Sequence, residues 1–322
     1  MAVRRLCTVP GMRTSGRLGR AFRRIGPATL LALCCASAQA GTLRFCDRQA
    51  DLDADQKDLI LRFSAIVKAQ LQASGKRLAL ISRSGLDLQR VGVRYSHSGF
   101  SLQANKNSPW SVRQLYFACD EQRPRIFDQG VSGFLLGMDD PATGYVSLVL
   151  LPDEAETAVE RTALDDQRVL QLLGASYSAN AFPFSARYQN CNQWLVETLA
   201  AAWGLPGEIG DLRPRAQAWL LSQGYRPTLF ERVFPPPIML SGMLALLHHD
   251  DHPREDLENR RMQVSMPAAI ELFVANRLPL ATRIELCHTQ RHVVIHRGWH
   301  PIAEGCVPGP GDEVVSLVDS VG

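Results

Sequence analysis

Two short segments of this chain hold the residue types from which a cysteine nucleophile is built. Arg94-Tyr-Ser-His-Ser-Gly-Phe100 reads as a strand with His97 near its end. Arg187-Tyr-Gln-Asn-Cys-Asn-Gln-Trp-Leu-Val196 reads as the start of a helix with Cys191 in its first turn. A free thiol is mostly protonated at neutral pH, and a helix N-terminus with a neighbouring imidazolium lowers its pKa. The unpaired N–H groups of a first helical turn favour the thiolate and can hold a developing oxyanion, with the Cys191 N–H as one donor. His97 is then the expected general base. Ser98 and Gly99 after it are small, which lets a helix end come close. A third polar group should orient the ring. The next strand offers Gln114, with Arg113 as the alternative of opposite parity. Arg187, Tyr188 and Asn190 are candidates to line the substrate cleft. Outside this context Cys191 would read as a small buried hydrophobe, and Glu197 reads as a solvated helix face or, less directly, as an acid behind the site.

The elements that must position these residues follow from periodicity. Leu59, Ile60, Phe63, Ile66, Val67 and Leu71 recur at helical spacing over 54–74. Strands are expected over 77–82, 91–103, 110–118 and 145–151, with a loop at 120–125 because Pro124 interrupts it. A helix opens after Pro152 and runs to about Leu173. Residues 174–185, rich in Ser, Ala, Asn and aromatics, read as a loop and cleft wall. Helices follow at 191–203 and 213–224, a break at Pro235-Pro-Pro237, then helices at 238–249 and 265–276. Residues 283–287 and 292–296 make a closing hairpin. Strands and helices are segregated along the chain, so the class is α+β.

Residues 1–40 carry seven arginines and no acid, then an apolar run and Ala38-Gln-Ala40. That pattern predicts a secretory signal peptide cleaved after Ala40, and hence a periplasmic or secreted protein. Without those arginines the formal charge falls from +3 to −4. No basic patch then argues for a nucleic acid or an anionic membrane as partner. No later segment reads as membrane-spanning. In an oxidising compartment cysteines pair. If Cys191 is the free thiol, the other four allow three connectivities; the hairpin favours Cys287 with Cys306, which leaves Cys46 with Cys119. The absence of a Cys-x-x-Cys motif argues against a thiol redox protein.

The run His248-His-Asp-Asp-His252 has metal-ligand residue types. It sits at a helix end before Pro253, where such runs cap helices, and no metal or cofactor is expected. His292 and His296 share a strand face, but about 13 Å along a strand separates them, too far for one ion. With His300 they read as surface or interface histidines. Trp110, Trp194 and Trp203 read as core or cleft wall.

The two leading segments are similar to the motifs of NlpC-like, papain-fold cysteine hydrolases. Tyr-Ser-His97-Ser-Gly-Phe resembles their His-bearing strand, and Asn-Cys191-Asn-Gln-Trp-Leu-Val resembles their Cys-bearing helix. Histidine before cysteine is the order of the circularly permuted branch. Arg83-Ser-Gly-Leu-Asp87 looks like the turn before its first barrel strand, and 78–200 resembles a secreted proteobacterial family of unknown function, DUF2145. Asn192, where serine is common, and a third residue that is neither His nor an acid are departures. The resemblance implies a small antiparallel sheet packed on the Cys-bearing helix, a permuted papain-like domain over 41–234, and a C-terminal extension or subdomain over 235–322. It implies a hydrolase or acyl transferase cleaving an amide or ester through a Cys191 thioester. Its substrate would be an envelope peptide, peptidoglycan or lipid. The competing reading is a non-catalytic envelope binding protein on the same fold.

Overall fold

The computed structural model describes residues 52–85, 88, 91–138, 140–207, 210–231 and 246–318. The expected signal peptide, Cys46 and most of the helix expected over 238–249 lie outside the described residues.

The chain enters through helix α1, Ala54–Ala73, where Gln56 N–H donates to Asp53 Oδ1 at 2.8 Å and Asp53 N–H to Gln56 Oε1 at 3.0 Å. This reciprocal cap satisfies two N–H groups that the first turn leaves unpaired. Its apolar stripe, Ile60, Phe63, Val67 and Leu71, is fully buried.

Next come β1 (Leu78–Arg83), β2 (His97–Leu102), β3 (Ser111–Ala118), β4 (Arg123–Gln129), the short helix α2 (Val131–Leu135) and β5 (Gly144–Leu150). Helices α3 (Asp153–Leu164), α4 (Asp166–Gln171), α5 (Cys191–Gly204) and α6 (Leu212–Ser222) follow. A ribbon of β6 (Thr228–Phe230) and β7 (Met262–Val264) flanks α7 (Arg254–Glu258). The chain closes with α8 (Pro267–Arg277), β8 (Thr282–His288), β9 (His292–Arg297) and β10 (Glu313–Ser316). No helix among the described residues is long and apolar enough to cross a membrane.

The class is α+β, but the sheet is not small. Eight antiparallel strands form it in the order β10-β9-β8-β5-β1-β2-β3-β4. The segment from 282 onward, expected as part of an extension beyond 235, supplies three of them. The reason is burial. Every residue of β5 is buried, so it must be interior to the sheet with a partner on each edge. β1 takes one edge and β8 the other, in the register Leu148↔Ile284. The described residues accordingly fall in one compact unit. The strand β4 begins inside the loop expected over 120–125, and forms despite Pro124 because it is the edge strand, where a missing N–H need not cost a ladder bond.

Both faces of the sheet are covered. Ala79 and Ile81 face a core with α1 and α2, while Leu78 and Leu80 face one with α3 to α6 and α8. The helix α5 that begins at Cys191 lies in the second core, with Trp194 edge-on to Phe100 at 5.7 Å between ring centroids.

Cys287 and Cys306 are bonded and buried, closing a loop with a sequence separation of 19. Replacing both by alanine is expected to cost about 3 kcal/mol, from the chain entropy returned to the unfolded state. Urea unfolding of the double variant beside the parent measures this; a loss below about 1 kcal/mol would mean the loop is held without the bond. Cys119 is also disulfide-bonded; Cys46, its expected partner, is outside the described residues.

Candidate active site

The loop that delivers Cys191 is moored from below. Glu197, six residues into α5, is fully buried rather than on a solvated face. It accepts from Arg213 Nε at 2.9 Å, Gln217 Nε2 at 2.6 Å, Gln193 Nε2 at 3.2 Å and Gln189 Nε2 at 2.5 Å. Arg213 in turn donates to the carbonyls of Ala186 and Tyr188 at 2.8 and 2.9 Å. A carboxylate inside the core thus fixes the backbone just ahead of the thiol.

Asn190 is the N-cap of α5, its Oδ1 accepting from Gln193 N–H at 2.7 Å while its Nδ2 donates to Ala179 O at 3.2 Å. Its buried side chain is occupied in holding the helix start. Arg187 pairs with Asp250 at 2.6 Å, and Tyr188 stacks on His248 with centroids 4.4 Å apart. The His-Asp run therefore binds the loop before Cys191. His252 Nε2 also meets Asn180 O at 2.7 Å, and Asp251 accepts from Phe182 N–H at 2.9 Å.

Cys191 occupies the first position of α5 and is a buried free thiol. The start of α5 is clamped to β2. Ser98 Oγ donates to Asn192 Oδ1 at 2.7 Å, and Asn192 Nδ2 donates to Ser96 O at 3.1 Å. Asn192, a departure from the resembled motif, is thus the residue that joins the two segments. The ladder between β2 and β3 pairs only Phe100–Leu102 with Ser111–Arg113. At the opened end, the N–H groups of Asn192, Ser98 and Cys191 itself interact with the sulfur. Burial nevertheless outweighs them and pushes the thiol up to about 11.

His97 is buried, and its Nε2 lies 2.5 Å from Gln114 Oε1. Arg113, the alternative of opposite parity, points to the other face and binds Asp128 at 2.7 Å and Asp166 at 2.9 Å. Tyr116 and Phe134 pack on the imidazole, with centroids at 4.9 and 5.7 Å. Burial, and next the Arg83 guanidinium, lower His97 to about 3, against the Gln114 hydrogen bond. The resting pair is a neutral thiol and a neutral imidazole.

Strand alternation separates the two groups. Ser98 faces α5, whereas His97, paired with Arg83 across the sheet, faces α2. No hydrogen bond joins His97 to Cys191 among the described residues. Gly99 does not make room for the helix, as expected from its size. A Cβ there would stand 2.7 Å from Val112 Cγ1 and 2.9 Å from Arg113 O, so it makes room for β3.

Two residues of the site escaped the sequence reading. Arg83, expected in a turn, ends β1 almost fully buried. Its guanidinium bonds the carbonyls of Gly137 and Ser84 and lies 3.4 Å from Tyr116 Oη. Among the described residues no carboxylate pairs with it, and its charge lowers both His97 and Cys191. The available signal was one arginine closing an otherwise apolar strand. Tyr177 is the second: it packs on the core that holds Cys191, and its hydroxyl is raised by burial first and by Cys191 next.

A cavity of about 1320 Å³ opens elsewhere, lined by neither Cys191 nor His97.

Comparison with curated proteins and with solved structures finds no match. A family model described as an uncharacterized protein conserved in bacteria, DUF2145, matches residues 70–274. That span covers well over half of the sequence and includes His97, Gln114 and Cys191, and the chain belongs to this family.

Proposed function

We propose that the protein is a cysteine-dependent hydrolase or acyl transferase of the cell envelope, working on a permuted NlpC-like, papain-type plan. The observation that carries the reading is that a buried free thiol at the first position of α5 is held, through Asn192, against the strand residues Ser96 and Ser98 that flank His97, whose ring meets Gln114. The sulfur attacks an amide or ester carbonyl, and the C–S bond forms as the thiol proton leaves. At rest His97, held at about 3, is a weak base for a thiol held at about 11, so the step in which it takes the proton and returns it to the leaving group requires substrate binding to change their surroundings. With no direct hydrogen bond between the two, the transfer runs through a water or follows closure around substrate. The backbone donors and Arg83 then stabilise the oxyanion. The leader-like residues 1–40 and the Cys287–Cys306 bond support an oxidising, extracytoplasmic location. Envelope peptides, peptidoglycan and lipid esters are the substrate classes there.

A second reading, a non-catalytic envelope binding protein, is favoured by the opposite facing of His97 and by the raised thiol. Acylation separates the two. On incubation with p-nitrophenyl acetate, peptide mapping is expected to find acetyl-Cys191 in the parent and none in Cys191→Ala. Formation should slow on the order of 100-fold in His97→Ala. No adduct on Cys191 in the folded parent would leave the binding-protein reading standing.

A further inference from the structure

A pocket of about 390 Å³ opens where α8 meets the turn between α6 and β6. Arg226 on that turn and Arg277 at the end of α8 line it, with Gln223, Asn276, Leu272 and Phe273. No acid lines it. Both arginines are exposed. Among the described residues, neither meets a carboxylate.

Arg277 is not a loose surface chain. Its Nη1 donates to Gln223 Oε1 at 2.6 Å, and its Cζ lies 4.7 Å from the centroid of Trp219 and 6.0 Å from that of Trp203. Gln223 is itself placed by the end of α6, where Gly224 turns the chain with a φ of 74°. The bond to Gln223 and the indole beneath it fix the plane of the guanidinium. Among the described residues its Nε and Nη2 make no hydrogen bond. Two helix C-termini, of α6 and α8, meet at this pocket. Each carries roughly half a negative charge, against two full positive charges, so the pocket stays electropositive. It does so in a chain whose formal charge without residues 1–40 is −4.

We propose that this pocket binds an organic oxyanion, its oxygens on the Arg277 and Arg226 guanidiniums and its apolar body against Leu272 and Phe273. The planar fork of a guanidinium matches two oxygens of a carboxylate or a phosphoryl group. A cation is disfavoured by sign, since no lining side chain is negative. Leu272, 61% exposed, offers the ligand an apolar wall. The volume stands at the lower end of the roughly 300–1,000 Å³ usual for small-molecule pockets, which suits a body of one ring. Trp203, beside Arg277, is at the far end of α5 from Cys191. Twelve residues of helix put it roughly 18 Å along the axis from the thiol, so this is a second site rather than the place of acyl transfer.

The probes are benzoate, phenyl phosphate and the neutral benzamide, titrated calorimetrically into the folded chain at neutral pH and low salt. At least one anion is expected to bind saturably, on the order of tenfold or more tighter than benzamide. The tighter of the two tells a carboxylate ligand from a phosphoryl one, and either supports the site. Arg226→Gln and Arg277→Gln should each lower that affinity several-fold. Arg277→Lys, which keeps the charge but loses the fork, should lower it as well. Arg226 is exposed and has no side-chain partner among the described residues, so its variant keeps the test open if losing the Arg277 stack unfolds the chain. Benzamide binding as tightly as the anions, no saturable anion binding, or unchanged affinity in any folded variant would overturn the proposal. No variant here alters Cys191 or His97, so the outcome is independent of the acylation experiment.

Discussion

Glu197→Ala is expected to destabilise the protein by about 3–5 kcal/mol, because it leaves a buried charge and several buried amides without their acceptor. The Arg213 side chain is only 6% exposed and the Glu197 side chain not exposed at all. Burial raises the Glu197 carboxyl, against the pull of Arg213. We take it as ionised in the fold, since Arg213, Gln189, Gln193 and Gln217 all donate to it and a carboxyl proton would need an acceptor among them. Glu197→Gln should also destabilise, because its new NH2 would face those donors. At a few degrees per kcal/mol for a chain of this size, the alanine variant should melt on the order of 10 °C lower. Thermal unfolding followed by circular dichroism measures it. A drop of less than about 2 °C in both variants would show that the network does not hold the fold. The consequence for the site is local as well as global. The same network holds the carbonyls of Ala186 and Tyr188, so a surviving variant should also lose order in the loop before Cys191.

That network marks where the sequence stopped being readable. Local features were legible: the helix that Asp53 and Gln56 cap, the apolar strand β5, and the start of α5 at Cys191 all follow from short-range pattern. For Glu197 a solvated face is the first expectation, because charged residues are rarely fully buried unless paired. Its partners lie up to 20 residues away and become visible only in the fold. The width of the sheet was missed for a similar reason. Nothing in β5 or β8 alone says that they pair across more than a hundred intervening residues. Gln114 and Arg113, left as alternatives by the sequence, part in the fold by strand parity, Gln114 meeting His97 and Arg113 binding Asp128 on the other face. The same parity sends His97 and Ser98 to opposite faces of the sheet. The ribbon of β6 and β7 carries too few residues to show a period.

The pH dependence of stability is the other large effect, and it reports on His97. Its folded pKa is lowered to about 3 from an ordinary 6.5. The unfolded chain therefore binds the proton more tightly. The stability from keeping this ring neutral is fully present above pH 6.5 and is lost as pH falls toward 3. The full loss is on the order of 5 kcal/mol, and about 2 kcal/mol of it is gone by pH 5. Carboxylates titrate in the same range, so the quantity to measure is a difference. Urea midpoints at pH 7 and pH 5 should fall further for the parent than for His97→Gln, whose side chain does not titrate. Equal falls would mean that the imidazole protonates freely and that its neighbours do not enclose it. Cys191 sets the opposite limb: raised to about 11, it contributes stability that is present below its unfolded value and lost as pH rises toward 11. Alkylation of Cys191 by iodoacetamide should correspondingly quicken about tenfold per pH unit from 7 to 9 without levelling. A plateau beginning near neutrality would instead identify a preformed thiolate–imidazolium pair, for which neither the buried imidazole nor the buried thiol leaves room at rest.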